Sequence, residues 1–384
     1  GLTSIIPDMD PTRPAQADPR RLLHAIERFG VSQLFGSPAL VAVLARHGAP
    51  LPGVRRVTSA GAPVPAEVVA RMRSLLPAGA QLWTPYGATE CLPVAVIEGR
   101  ELETTRAATE RGAGTCVGRA VAPNQVRIIR IGDDAIATWS DDLLVAPGQV
   151  GEITVAGPTA TDTYWRREEA TRLSKIREVL ADAPPSAPAA HPSTCPGQAL
   201  LPQAGEGEAC APFAAAGEGN PGAAAVPPLR PAGEGRGEGA PCGERIVHRM
   251  GDLGWMDDEG RLWFCGRKSQ RVVVDATTTL CTEQVEPVFN THADVRRSAL
   301  VGVGARGAQR PVLCVELREG VPAREWPRIE RELRHLGDGF VHTAKVAAFL
   351  RHPRFPVDIR HNAKIGRETL ALWAARRLPG GAGA

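Results

Sequence analysis

The sequence predicts an α/β protein. A mostly parallel sheet flanked by helices comes first, then a β-rich part, then a small α/β domain at the C-terminal end. Two observations carry this. Helix and strand patterns alternate from residue 18 to residue 84, the order that lays strands side by side in parallel. A stretch rich in Ala, Pro and Gly over 177–243 then splits the chain, and a second set of periodic segments follows it.

The elements follow in order. Asp18 caps a helix with Pro19 in its first turn, Leu22, Leu23, Ile26 and Phe29 form its apolar stripe, and Gly30 stops it. Val31 to Phe35 reads as a short buried strand. Ser37-Pro38 opens a helix through Leu40, Val41 and Leu44. Val54 to Thr58 is a strand that ends in Ser59-Ala60-Gly61-Ala62-Pro63, followed by a helix over 65–76 and a strand from Gln81 to Thr84. Gln125 to Ile131 and Gly151 to Val155 are strands of the more antiparallel part.

Residues 177–243 keep no helical or strand period, and Ala-Gly-Glu-Gly recurs at Ala204, Ala216 and Ala232. Too few large apolar side chains are present to offset an ordering entropy of roughly 1–2 kcal/mol per residue, so this stretch is expected to be a disordered insert. Beyond it, Leu262 to Phe264, Ser298 to Val303 and Val312 to Leu317 read as strands, with helices near 282–291, 323–336 and 367–376.

Bulk properties exclude several classes. A net charge of +3 over 384 residues argues against nucleic acid or an anionic membrane surface as partner. No run of 18 apolar residues exists, so no transmembrane segment is expected. Eight cysteines without a CxxC pair or a Cys/His cluster imply reduced thiols rather than a disulfide frame or a zinc site, and a cytoplasmic location. The chain opens Gly1-Leu2-Thr3 rather than with Met, so a fragment is expected.

Three segments carry chemistry. Thr84 to Glu90 leaves a strand at the edge of a parallel sheet where ligands bind in such folds. Tyr86 offers a face for a base, Gly87 lets the backbone pass close to a ligand, Thr89 offers a hydroxyl to a phosphate, and Glu90 offers a hard oxygen to Mg²⁺. The alternative is an ordinary turn with a helix cap at Thr89. Asp252, between Gly251 and Gly254, suits paired ribose hydroxyls, against the alternative of a second turn aspartate beside the hairpin Asp257 to Gly260. Lys364, ahead of the last helix, can neutralise charge developing on a transferred acyl-phosphate, although any one lysine is more often solvated surface.

In this order the segments resemble the adenylate-forming superfamily of acyl-CoA synthetases, luciferases and peptide-synthetase adenylation domains. Ser59 to Pro63 is similar to its Gly-rich adenine-side turn and Tyr86 to Glu90 to its Y-G-x-T-E motif. Gly151-Glu152-Ile153 through Tyr164-Trp165, and 251–267, are similar to its G-E-I…G-Y-W and G-D-x-G…G-R stretches. The resemblance implies residues 1–267 as the later part of a large domain, 268–384 as a C-terminal lid, and a hinge near Lys268-Ser269. It implies ATP as cosubstrate with AMP as product, and Mg²⁺ on Glu90. Ala60, Gly61, Ala62, Pro63, Tyr86, Gly87, Thr89, Asp252, Arg267 and Lys364 would hold nucleotide, with Lys364, Thr89 and Glu90 acting in catalysis. The family's Ser/Thr/Gly-rich phosphate loop is expected upstream of Gly1.

Within that family, 7–14, 35–40, 85–93, 248–252 and 356–364 resemble the branch that makes β-lactones in bacterial olefin biosynthesis. That resemblance implies a 2-alkyl-3-hydroxy fatty acid as substrate, other olefin-pathway enzymes as partners, and no need for coenzyme A. Ser269 in place of an acidic or lysine hinge, and the absence of Gly from Val273 to Cys281, agree with it. The alternatives are a fatty acyl-CoA ligase, or an inactive remnant.

Overall fold

The computed structural model describes residues 3–180, 243–357 and 365–378. Its first strands are parallel because a helix crosses back between each pair. The order is α1 (Pro19–Arg28), β1 (Gln33–Gly36), α2 (Pro38–His47), β2 (Arg56–Ser59), α3 (Ala66–Leu75) and β3 (Gln81–Ala88). Leu34 pairs with Val57, and Val57 with Leu82. The capping residues act as the sequence implies: Asp18 accepts from the Arg20 N–H at 2.9 Å and Ser37 from the Leu40 N–H at 3.4 Å. Leu22, Val41, Leu44, Val57, Val69, Met72 and Leu82 close a core between helices and sheet. Each such side chain contributes about 1.5–3 kcal/mol by burial.

The strand expected at Val31 to Phe35 is shifted and is not buried. Phe35 is 73% exposed and Phe29 is 54% exposed. The reason is position: β1 is an edge strand of its sheet, and an apolar run has the same pattern at an edge as in the middle.

After β3 the chain turns back antiparallel. The elements are β4 (Cys91–Glu98), α4 (Gly99–Glu110), β5 (Thr115–Ala120), β6 (Gln125–Ile129), β7 (Gly151–Ala156), α5 (Glu168–Ser174), β8 (Lys175–Val179), β9 (Glu244–Met256) and β10 (Arg261–Arg267). The parallel and antiparallel strands form one sheet, ordered β1-β2-β3-β4-β5-β10-β9-β7-β6, with β8 also paired to β9.

The start of the expected insert is corrected here. The chain runs as strand β8 through Val179, two residues past the expected boundary at 177. Glu178 holds it, accepting from Arg127 Nη1 and Nη2 at 2.6 and 2.7 Å and from Arg245 Nε at 2.6 Å. Burial opposes ionisation of Glu178, but the two guanidiniums outweigh it and bring the carboxyl down to about 2. Arg127 also stacks on Trp139, 3.6 Å from the ring centroid. The Leu180 N–H donates to the Gly243 carbonyl where the two strands meet. Residues 181–242, on which the expected disorder falls, lie outside the described residues.

Beyond β10 come β11 (Val272–Val273), β12 (Thr279–Leu280), α6 (Thr282–Phe289), β13 (Val295–Val303), β14 (Arg310–Leu317), α7 (Trp326–Asp338), β15 (Ala348–Arg351) and α8 (Arg367–Ala375). β13, β14 and β15 form a second sheet. Alternation along β13 sends Leu300 into a core with Val285, Phe289, Ile329 and Leu333, and Ala299 and Val301 into another with Leu370 and Ala374. Both faces are thus covered by helices. Arg367 reaches across and grips Glu286 with both terminal nitrogens, and Glu286 Oε1 also accepts from the Leu300 N–H at 2.8 Å.

Polar ties join this part to the first. Lys268 Nζ donates to Glu152 Oε1 at 2.9 Å and to the Gly132 carbonyl at 3.0 Å. Arg271 Nη2 donates to Asp133 Oδ2 at 2.8 Å, and Thr115 Oγ1 to Glu283 Oε2 at 3.0 Å.

Candidate nucleotide site

The Tyr86-to-Glu90 segment is not the strand-to-loop junction expected. β3 continues through Ala88, and Thr89-Glu90 is the tip of a hairpin whose other arm is β4. No helix follows, so Thr89 caps none. Gly87 is required by this hairpin itself: a Cβ there would lie 2.6 Å from the Cys91 carbonyl oxygen and 2.7 Å from Leu92 Cδ1. Thr89 is exposed.

Asp252 is not a turn residue. It lies within β9, opposite Arg267 on β10, and is 2% exposed. Tyr86 donates its hydroxyl to Asp252 Oδ2 at 2.7 Å, while the ring leans on Phe264. Arg267 Nη1 is 2.9 Å from Oδ1 in an ion pair, yet Oδ1 receives no aligned hydrogen bond. Burial raises the Asp252 carboxyl to about 6, against the pull of Arg267 and Tyr86. Burial, with the Asp252 carboxylate beside it, puts the Tyr86 hydroxyl well above its ordinary value, so it stays a donor.

Glu90 faces a second cluster. Its Oε1 accepts from the Tyr164 hydroxyl at 2.9 Å, and its carbonyl from the Thr161 N–H at 2.9 Å. Behind it lie Lys175, 7% exposed, and His248, 2% exposed. Burial works against the Glu90 charge, but its own backbone N–H, the Tyr164 hydroxyl and the nearby Lys175 ammonium bring it below the ordinary carboxylate range. Burial and then Lys175 take His248 down to about 4, so its ring is neutral at pH 7. Among the described residues no three metal-ligating side chains converge. A divalent cation at Glu90 would therefore take its other oxygens from water and a bound phosphate, as Mg²⁺ commonly does.

The turn Ala60-Gly61-Ala62-Pro63 leaves β2 just past Thr58, which pairs with Trp83 on β3. It therefore emerges beside the strand that carries Tyr86. Gly61 has φ +101°, a conformation that glycine accepts without strain. The adjoining Ser59 is 1% exposed, and its hydroxyl has no hydrogen-bond partner among the described residues. A buried hydroxyl left unpaired costs about 1–3 kcal/mol unless something meets it. The structure thus gathers Tyr86, Asp252 and Arg267 directly, and brings the Ala60-to-Pro63 turn to the same sheet edge. Lys364 lies outside the described residues. Sequence reasoning missed Tyr164 as a partner of Glu90, and it missed Lys175 and His248. Tyr164 was visible in its motif and His248 opens the 248–252 segment, whereas nothing in the pattern singles out Lys175.

Tyr86, Asp252 and Arg267 meet on one sheet, and residues 1–165 match the family description "AMP-binding enzyme". The chain is similar to members of the adenylate-forming superfamily. Its curated relatives include the olefin β-lactone synthetase of Xanthomonas campestris pv. campestris, 57% identical over 98% of this chain, and that of Stenotrophomonas maltophilia, 58% identical over 98%. The chain spans just over half the length of these relatives, 57% of each. The fold is similar to that of the amide bond synthetase McbA from Marinactinospora thermotolerans, with TM-score 0.60 and 21% identity, covering 93% of this chain and 55% of that one. No helix among the described residues is long and apolar enough to cross a membrane.

Proposed function

We propose that the chain forms part of an ATP-dependent, AMP-forming synthetase that activates the carboxyl of a 2-alkyl-3-hydroxy fatty acid and closes it to a β-lactone. Identity of 57% over 98% of the chain to an olefin β-lactone synthetase is the observation that supports this reading most. Asp252 would accept the ribose hydroxyls, using the Oδ1 that receives no aligned hydrogen bond, with Tyr86 and Arg267 fixing its rotamer. Ala60 to Pro63 and Gly87 would border the base, and Thr89 would meet a phosphate. Glu90 would hold Mg²⁺, whose charge supports electron flow toward the phosphates. Lys364 would supply positive charge as the acyl-phosphate bond forms.

The logic is chemical. A carboxylate is a poor electrophile; its attack on the α-phosphorus of ATP would break the α–β phosphoanhydride bond, expel pyrophosphate and leave the carboxyl carrying AMP as a leaving group. The substrate's own hydroxyl then attacks, and a well-oriented intramolecular attack gains about 7–11 kcal/mol over a bimolecular one. The bond from carbonyl carbon to AMP breaks as the ring C–O bond forms, and the hydroxyl proton leaves to solvent or a base.

The test pairs binding with products. AMP binding measured by calorimetry should weaken at least about tenfold in Asp252→Ala, on the scale of losing charge-assisted bonds. With ATP, Mg²⁺ and a synthetic 2-alkyl-3-hydroxy acid, mass spectrometry should find a product lighter by one water, with or without coenzyme A. A product that forms only with coenzyme A and carries it would make the protein an acyl-CoA ligase instead.

A further inference from the structure

Glu90 stands at a hairpin tip beside the exposed Thr89, and such a tip is not held by core packing. A strap at 159–164 holds it instead. Cys91 bridges to Ala160 in antiparallel fashion, and its Sγ lies 3.2 Å from Thr159 Oγ1. Thr159 in turn donates to Asn124 Oδ1 at 2.9 Å, and Thr161 N–H donates to the Glu90 carbonyl. At the end of the strap, Tyr164 donates to one oxygen of the Glu90 carboxylate and leaves the other free of any side-chain donor among the described residues.

The strap is itself fastened. Lys175 Nζ donates to the Thr161 carbonyl and to Thr161 Oγ1, the latter at 3.1 Å, and lies 5.4 Å from the centroid of the Tyr164 ring. The Tyr164 N–H donates to Thr171 Oγ1 at 3.0 Å. Ring and backbone of Tyr164 are therefore both fixed before its hydroxyl reaches Glu90. The arrangement sets the direction of one carboxylate and presents a single oxygen. A metal that keeps most of its coordination for water and phosphate needs that presentation.

We propose that Tyr164 is a positioning residue for Glu90, orienting its free carboxylate oxygen toward a divalent cation that arrives with a nucleotide; the inference rests on the reading of Glu90 as the metal-binding carboxylate. Tyr164 would touch neither the cation nor the substrate and would act only through Glu90.

The experiment is a double-mutant cycle on metal affinity. Mn²⁺ is titrated by electron paramagnetic resonance into the full chain with the non-cleavable α,β-methylene analogue of ATP, for wild type, Tyr164→Phe, Glu90→Gln and the double variant. Tyr164→Phe removes one hydroxyl, and melting curves check that it folds. The expected result is Mn²⁺ affinity about 10–100-fold weaker in Tyr164→Phe, the range for losing an outer-shell partner of a metal ligand. Metal-free AMP binding should be unchanged, and the double variant should match Glu90→Gln alone. Wild-type Mn²⁺ affinity in Tyr164→Phe, or additive losses in the double variant, would overturn the proposal while leaving Glu90 as ligand. Undiminished affinity in Glu90→Gln would remove the metal reading of Glu90 and the proposal with it.

Discussion

Tyr86 and Asp252 meet at 2.7 Å, hydroxyl to Oδ2, across 166 positions of sequence. The bond ties the β3–β4 hairpin to β9, the longest strand of the sheet, at the candidate nucleotide site. Removing the donor leaves a buried carboxylate with less support. Tyr86→Phe should therefore lower stability by about 1–3 kcal/mol in urea unfolding, and should weaken AMP binding as well.

Asp252 makes binding and folding respond oppositely to pH. Its carboxyl is raised by burial to about 6, so the charged form that best accepts two hydroxyls fills in as pH rises through that value. AMP affinity should climb between pH 5 and 7 and level off, while Asp252→Asn should bind weakly and without that step. For folding the sign reverses. The folded state holds the proton up to about 6 and the unfolded chain releases it near 3.8, so this stabilisation is complete below 3.8 and is lost by about 6.

Glu283 should give a second, separable slope. It sits where α6 meets β5, and burial first, then the neighbouring Glu286, raises it to about 7 despite Arg367 and the Thr115 hydroxyl. Cys265 on β10 feels its charge. Stability from the neutral form is present below 4.5 and fades as pH climbs to about 7. Glu283→Gln keeps an acceptor for Thr115 and cannot ionise. The stability difference between wild type and this variant, followed by chemical unfolding from pH 5 to 8, should change steadily across that window. A constant difference would mean Glu283 ionises as freely in the folded protein as in the unfolded one.

Glu178 behaves the other way. Its carboxyl is depressed to about 2, so its ion pairs stabilise above pH 4.5 and are lost as pH falls toward 2. Arg127→Ala takes away the two-point grip and the stacking on Trp139 together. The loss should be about 3 kcal/mol at pH 7, and clearly less at pH 3, by thermal or urea unfolding.

Residues 181–242 should be removable. Leu180 and Gly243 already meet through a backbone hydrogen bond, so a short Asn-Gly turn can join them. Closure entropy falls by about 0.6 kcal/mol for each halving of a loop, so the shortened protein should gain up to about 3 kcal/mol or hold steady. Loss of a single cooperative transition would show that the segment contributes to the fold.

The parallel half was legible because caps and stripes are local: Asp18, Ser37 and the Leu22 and Val41 faces mark their own helices. Sheet edges are not local, which is why Phe35 was placed inside and lies outside. The end of β3 and the strand β9 were hidden for a different reason. Tyr86-Gly87-Ala88 and Gly251-Asp252 look like turns because glycine is common in turns, whereas here Gly87 makes room for the Cys91 carbonyl within a hairpin. Of the residues singled out by motif, Tyr86, Gly87, Asp252 and Arg267 lie on strands of one sheet. What the motif could not show was the company they keep: Tyr164, Lys175 and His248 reach Glu90 only after three separate strands are folded together.

The ties of Lys268 and Arg271 bear on how the C-terminal residues can turn. Both side chains fasten to the same short loop, one at the Gly132 carbonyl and one at Asp133, and leave Ser269 and Gln270 as an axle between two bearings. The two bearings are unequal. Lys268 is also locked to Glu152, which is fully buried, while Asp133 is half exposed to solvent. Rotation about this axle would release Arg271 and keep Lys268 seated. Asp133 is the more accessible anchor although Arg271 itself is mostly buried, so salt would loosen this bearing before the Lys268–Glu152 one.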